Sequence, residues 1–366
     1  MQEILDTALA RAPASARSQF WLILAGQCGG QASPEPEPSP TEPLDVGNLT
    51  AWITATNTSD AAIEHIERVA SALAEMHTRV PDRKILADVV QLHGTAQTLL
   101  RGGRQRLRQT RELIRVDGNV LAHASVLLSN LGQNRAAQDY GRVALLCLQE
   151  AEADQATAWY ALAKNARWQH NYAAAADLAR QGLEHSLNQG AVTPMSVQLA
   201  SYEANSAALL GDRTRARQAL ARSGSIADRL PPGDGELSPW SFPAGREAIF
   251  KLSVLLRTGD PGGALCVAEA AEGNWAAGDP RNTWTWAQVR IGAAIAHLAQ
   301  GALDGTAEQI APILALAPDM RVTTVTGWLA DLDQELARSR FAASPITGDL
   351  RQQIRQFTTG ALRETG

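Results

Sequence analysis

The stretch that decides the fold is Trp159–Gly182, WYALAKNARWQHNYAAAADLARQG. Its first part places the large Trp159 three residues before Leu162, which is followed by the small Ala163. His170-Asn171-Tyr172 then interrupts the apolar pattern as a tight turn would, and Ala175, Ala179 and Gly182 recur at the spacing of one helix face. Small residues on both sides of a short turn let two backbones approach closely, so that one helix packs into the groove of the other. The segment reads as an antiparallel helical hairpin.

The same arrangement recurs on either side. Gly132 leads to Ala137 and Ala144, with Ser125 as the small residue before it; Ala204 precedes Gly211-Asp212, which leads to Ala216 and Leu220. Gly259-Asp260 leads to Ala264, Ala268 and Ala271, and Gly301 to Thr306, Ile310 and Ile313. The turn positions 132, 170, 211, 259 and 301 are separated by 38, 41, 48 and 42 residues. This is the pattern of a tetratricopeptide (TPR) array, with irregular repeats near 40 residues instead of the regular 34. The predicted fold is all-α, a TPR-like helical-hairpin solenoid. Surplus residues lengthen helices or fill loops such as the Gly/Pro-rich 223–242, and 339–366, with scattered Arg and Gln, reads as a polar terminal cap.

Composition agrees with helices. Hydrophobic residues make up 45% of the chain, carried largely by Ala and Leu, and no long stretch alternates with period two. Asn48 and Ser59 are expected N-caps, and Pro81 marks a helix boundary. Ahead of the array, 1–27 reads as a short helical segment broken at Pro13, and 28–47 as a semi-rigid linker, since GGQASPEPEPSPTEP alternates Pro with Glu and Ser. The solenoid is expected over 48–366. With 33 Lys+Arg against 38 Asp+Glu, the net charge of −5 excludes a chain-wide nucleic-acid binder, so any DNA contact must be local. Almost all the positive charge is arginine, Lys84, Lys164 and Lys251 being the lysines, a usage that fits a GC-rich, actinobacterial genome.

Cys28, Cys147 and Cys266 lie far apart with no CxxC spacing, which argues against a disulfide framework or a zinc knuckle and fits the cytoplasm. No apolar run is long enough to span a membrane. Arg11 and Arg17, the apolar run Phe20–Ala25 and Cys28 form a loose likeness to a lipoprotein signal, which would make the chain an envelope-tethered scaffold. That run is shorter than a signal core, and a short amphipathic helix ended by Gly26 accounts for it.

Beyond the repeats, LRGGRQRLRQTREL at 100–113, QLASYEANSAALLGD at 198–212, SPWSFP at 238–243 and WAAGDPRNTWTWAQVRIGAAIAHL at 275–298 resemble the C-terminal TPR region of actinobacterial transcriptional regulators of the XRE (Cro-repressor-like) helix-turn-helix family. The resemblance covers most of the chain from Leu49 onward and implies a regulatory, partner-binding role. Members of that family usually carry about 60 residues of helix-turn-helix at the N-terminus, whereas 1–27 holds no recognition-helix pattern.

No catalytic motif is present: there is no HExxH, GxSxG, P-loop or GxGxxG, and the seven histidines are scattered, His93 and His123 drawing slightly more interest than the rest. No enzyme activity, cofactor or metal is expected. Arg101, Arg104, Arg108, Arg111 and Arg115 form a candidate contact for nucleic acid or an acidic partner, since 104, 108, 111 and 115 share a helical face, although a solvated face looks the same. The concave side of a TPR array is built by the first helix of each hairpin. There Asn130, Tyr160, Lys164, Arg167, Trp168 and Asn205 are the candidate partner-binding residues. Asn can satisfy a peptide backbone with donor and acceptor, Lys and Arg can hold a carboxylate, and Tyr or Trp can pack an aliphatic side chain. Packing explains Trp159 more simply. The expected partner is a peptide or protein in the groove, with homodimerisation as a further association; DNA binding through the arginine face or an N-terminal element is the alternative.

Overall fold

The computed structural model describes residues 50, 53–77, 80–190, 192–230, 238–317 and 323–362. The expected N-terminal segment 1–27, the linker 28–47 and the Asn48 cap lie outside them. Ala55–Gly366 forms one compact unit. Its described residues hold fourteen helices and no strand: α1 (Asp60–Met76), α2 (Asp82–Arg101), α3 (Leu107–Asn130), α4 (Asn134–Glu150), α5 (Ala156–Trp168), α6 (Tyr172–Asn188), α7 (Pro194–Leu210), α8 (Arg213–Ala227), α9 (Ala244–Thr258), α10 (Pro261–Ala276), α11 (Thr283–Gln300), α12 (Leu303–Leu314), α13 (Thr323–Arg338) and α14 (Pro345–Leu362). The fold is therefore all-α, a stack of helical hairpins. Each first helix packs on its own second helix and on the first helix of the next hairpin, through α3, α5, α7, α9, α11 and α13.

The five turns sit where the sequence puts them, and one backbone feature unites them. Gly132, His170, Gly211, Gly259 and Gly301 all adopt positive φ, between 58° and 90°. A left-handed residue there ends one helix and turns the chain through the loop in two residues. Glycine does this without strain; His170, at φ 58°, is the one non-glycine among the five. The next residue then caps the second helix: Asn171 Oδ1 accepts from Ala174 N–H at 3.2 Å, Asp212 Oδ1 from Arg215 N–H at 3.0 Å and Asp260 Oδ1 from Gly263 N–H at 2.8 Å. Ser59 caps α1 in the same way, and Pro81 begins α2.

Seven residues before each turn and five after it lie the pairs Ser125/Ala137, Ala163/Ala175, Ala204/Ala216, Leu252/Ala264 and Ala294/Thr306, all fully buried. They mark where the two helices of a hairpin touch. At the first and last, a hydroxyl bonds across the approach: Ser125 Oγ donates to the Ala137 carbonyl at 2.7 Å and Thr306 Oγ1 to the Ala294 carbonyl at 3.2 Å. Gly182 closes the Trp159 unit, because a Cβ there would fall on the Trp159 side chain, 2.8 Å from its Cγ. Trp159 is thus packing, as its spacing indicates.

The terminal hairpin α13–α14 buries Leu329, Leu332, Leu336, Leu350, Ile354 and Phe357 in one apolar cluster with Ile291, Ile310 and Ile313. Gln352, Gln353, Arg355 and Gln356 face outward, so the described part of the expected polar cap is a helix with one apolar side.

Candidate partner-binding site

Counting back from the turns aligns two polar rows along the first-helix layer. Thirteen residues before each turn stand Asn119, Thr157, Gln198, Arg246 and Gln288; six before stand Val126, Lys164, Asn205, Ser253 and Ile295. Seven residues are two helical turns, so both rows lie on one face of the layer. Two neighbouring pairs within the rows bond: Thr157 Oγ1 donates to Asn119 Oδ1 at 2.8 Å, and Asn205 Nδ2 donates to Ser253 Oγ at 2.8 Å. Between the rows run aromatic rings, Tyr160 edge-on to Tyr202 at 5.0 Å between centroids and Tyr202 against Phe250 at 5.1 Å. Residues 238–243, just before α9, lie on this face, with the Trp240 ring 6.3 Å from Tyr160 and 5.9 Å from His123.

Lys164 is at the centre. It is 9% exposed, and among the described residues no hydrogen bond or ion pair reaches its ammonium. Around it the basic groups are Arg246 and Arg167 together with His77 and His123. Asp82 is the carboxylate whose field acts on it. Burial pulls the Lys164 ammonium below the ordinary lysine value, with Arg246 and Arg167 adding to the effect and Tyr160 and Asp82 opposing it. Burial also lowers His123 to about 4 and His77 to about 2, helped in both by Lys164. Both imidazoles are neutral at pH 7. They form a chain in which Asn130 Nδ2 donates to His77 Nε2 at 3.4 Å, and His77 Nδ1 stands 3.0 Å from His123 Nε2. Burial pushes the Tyr160 phenol up, but Arg246 and Lys164 outweigh it and the net direction is down.

Gln198 is a second unsatisfied group. It is fully buried on the same face of α7 as Tyr202 and Asn205, and neither Oε1 nor Nε2 has a partner among the described residues. A buried amide without partners costs on the order of 1–3 kcal/mol. Neither the Lys164 ammonium nor the Gln198 amide is satisfied among the described residues.

The structure divides the expected partner-binding residues. Lys164, Arg167, Tyr160, Asn205 and Asn130 all belong to this face. Two of them are not free to act as expected. Tyr160 is 1% exposed between Tyr202 and Trp240, and its hydroxyl is already engaged, accepting from Arg246 Nη2 at 3.0 Å. Asn205 is satisfied at both ends, since Arg167 Nε donates to its Oδ1 at 2.9 Å and its Nδ2 serves Ser253. Arg167 also lies 5.9 Å over the Tyr202 ring. Trp168, at the end of α5 and 42% exposed, makes no ring or hydrogen-bond contact with the cluster. His77, Gln198, Trp240 and Arg246 were missed, although SPWSFP and the first residue of QLASYEAN contain two of them.

The arginine face is also revised. Instead of one helix over 101–115, the chain breaks after Arg101, with Gly103 at φ 62°, and α3 begins at Leu107. Arg101 and Arg104 therefore do not share a helix with the other three. Those three are paired: Arg108 with Asp60 at 2.6 Å, Arg111 with Glu152 at 3.1 Å, and Arg115 with Glu67 and Glu112 at 2.6 Å. Neutralised arginines are poor phosphate ligands.

Among the described residues, no group of three side chains is placed to hold a metal ion, and no helix is long and apolar enough to cross a membrane. No family model and no curated protein sequence matches the chain. Among solved structures it is similar to BtubC (BKLC) of P. vanneervenii, 17% identical with a TM-score of 0.49 over 67% of this chain and 96% of that one. It is also similar to a Rap protein complexed with Competence and Sporulation Factor, 13% identical with a TM-score of 0.44 over 82% of this chain and 93% of the other. Both scores lie below 0.5, and no role is transferred from either protein.

Proposed function

We propose that this chain is a non-catalytic, cytoplasmic binding protein that holds a peptide or an extended protein segment along the first-helix face of α3–α9, as the sensing half of an XRE-type transcriptional regulator. The observation that carries the binding role is a pair of groups without internal partners on one face of successive hairpins, the ammonium of the largely buried Lys164 and the buried Gln198 amide. An amide offers a donor and an acceptor, as an extended peptide backbone requires, and an ammonium offers a counter-charge. A folding core gains nothing from either group left alone. The regulatory role rests on the resemblance of the four sequence strings.

Display of a random peptide library on the immobilised protein tests the binding role. Wild type should enrich a sequence family, Gln198→Leu should lose it, and Arg351→Ala on α14 should keep it. Equal enrichment by all three proteins would sink the assignment. For the regulatory role, transcript profiles of a deletion strain should be restored by wild type and not by Gln198→Leu; restoration by both would contradict it.

A further inference from the structure

Extending the same reading of the groove, we infer that Lys164, flanked by Arg246 and the Tyr160 hydroxyl, is the receptor for a carboxylate of the bound peptide. Positive groups outnumber carboxylates around Lys164. Helices α3, α5 and α9 and the end of α1 converge there, and they bring Lys164, Arg246, His77 and His123 against a single distant carboxylate, Asp82, which makes no hydrogen bond to the lysine. The other buried acids nearby are committed elsewhere. Glu203 is held by Arg215 at 2.9 Å and Arg222 at 2.7 Å, and Asp117 by His93 at 2.7 Å and Gln97 at 2.8 Å.

Removal of an ammonium from water without a counter-ion is costly, and a structural lysine would be expected to carry an acid beside it. Arg246 uses Nη2 on the Tyr160 hydroxyl and Nη1 on the Ser241 carbonyl at 3.2 Å, which fixes its charge beside the lysine without neutralising it. Trp240 packs edge-on against Tyr160 and His123 beside the site. A monoanion arriving there would satisfy the ammonium in a medium where each charge-assisted bond is strong. It would also favour protonation of Lys164, so binding should be accompanied by proton uptake above the folded-state value of that lysine.

The chain's three lysines make a direct test simple. Protein labelled with 13C-lysine is titrated with acetate and N-acetylalanine, with N-acetylalanine amide and sodium phosphate as comparisons, at constant ionic strength set by sodium chloride. The expected result is a saturable shift of the Lys164 ε-methylene signal with acetate and N-acetylalanine only, while Lys84 and Lys251 stay still. Movement of all three lysines together, no saturation, or saturation by phosphate alone overturns the inference.

Peptides enriched by display are then compared on wild type and Lys164→Met, with the fold of the variant checked by circular dichroism. Affinity should fall by about tenfold or more, as expected for loss of a charge-assisted contact. Re-synthesis with an amidated C-terminus or with acidic side chains replaced by their amides identifies the source of the carboxylate, and the form that loses affinity names it. If every form binds wild type and Lys164→Met equally, the groove reading stands and the carboxylate receptor fails. If no peptide is enriched while acetate still saturates Lys164, the groove reading fails and the anion site stands.

Discussion

Two regions of this array are built on the same hairpin and filled in opposite ways. From Pro261 to Leu362 the buried polar residues, among those described, are Thr306 and Thr347, and the core is Ile, Leu, Val and Ala closed by Phe357. Between Leu107 and Thr258 the chain buries Gln109, Asp117, His123, Gln155, Lys164, Asn165, Gln198, Glu203, Asn205 and Thr258 besides several serines. The row nearer the turns shows the change plainly. Six residues before the turn, the middle hairpins carry Lys164, Asn205 and Ser253, and the flanking ones carry Val126 and Ile295. Hairpin stacking alone needs only the apolar version, which the C-terminal end provides. The polar middle costs stability, and Gln198, with both amide atoms unsatisfied, bears that cost at the centre of the proposed face.

The largest effect should come from the packing both regions share. Gly182→Val drives branched carbons into Trp159, where even a Cβ does not fit, and should destabilise the unit by about 3 kcal/mol, seen as a lower urea midpoint. Next is acid sensitivity specific to the middle. His123 and His77 take up protons near pH 6.5 when unfolded but only near 4 and 2 when folded. The unfolded state therefore binds more protons in that window, and stability must fall as pH drops from 6.5 toward 4, by roughly 3 kcal/mol for His123. A urea-midpoint series in pH should show this slope in wild type and lose much of it in His123→Phe.

What could be read in advance follows the same division. The turns at 132, 170, 211, 259 and 301, and the small residues around them, are local constraints: a left-handed residue, a cap and two close backbones must appear within about a dozen positions. The sequence therefore displays them, and even His170 is legible from its neighbours Asn171, Ala163 and Ala175. The face is not local. Whether Asn205 is free depends on Arg167 and Ser253, 38 and 48 residues away, and whether Arg108, Arg111 and Arg115 are free depends on Asp60, Glu152 and Glu67, at least 41 away. Trp240 reaches the site from a connection that carries no helical period, and His77 from just beyond the end of α1. Lys164 was identifiable from its register on α5, but its lack of a partner was not, because a partner could have come from any element.

A smaller and opposite effect should follow from removing the unsatisfied charge. The Lys164 value lies below its unfolded 10.5, so this group's contribution improves as pH climbs through its folded value toward 10.5 and is unfavourable below. Lys164→Met should therefore stabilise the protein by about 1–2 kcal/mol at pH 7 and by less near pH 10, in contrast to the losses expected from apolar truncations at the C-terminal end. The smallest effect belongs to that end: Arg351→Ala removes a partly exposed pair with Asp333 at 2.8 Å and should cost about 0.5 kcal/mol by thermal melting.

The central claim is that the polar middle, not the apolar end, receives the partner. Hydrogen exchange of the protein with and without a display-selected peptide tests it most directly. The account predicts added protection in α3, α5, α7 and α9 and unchanged exchange over α11–α14. Protection concentrated in α11–α14, or along the arginines of α3 with α5 and α7 unchanged, would contradict it.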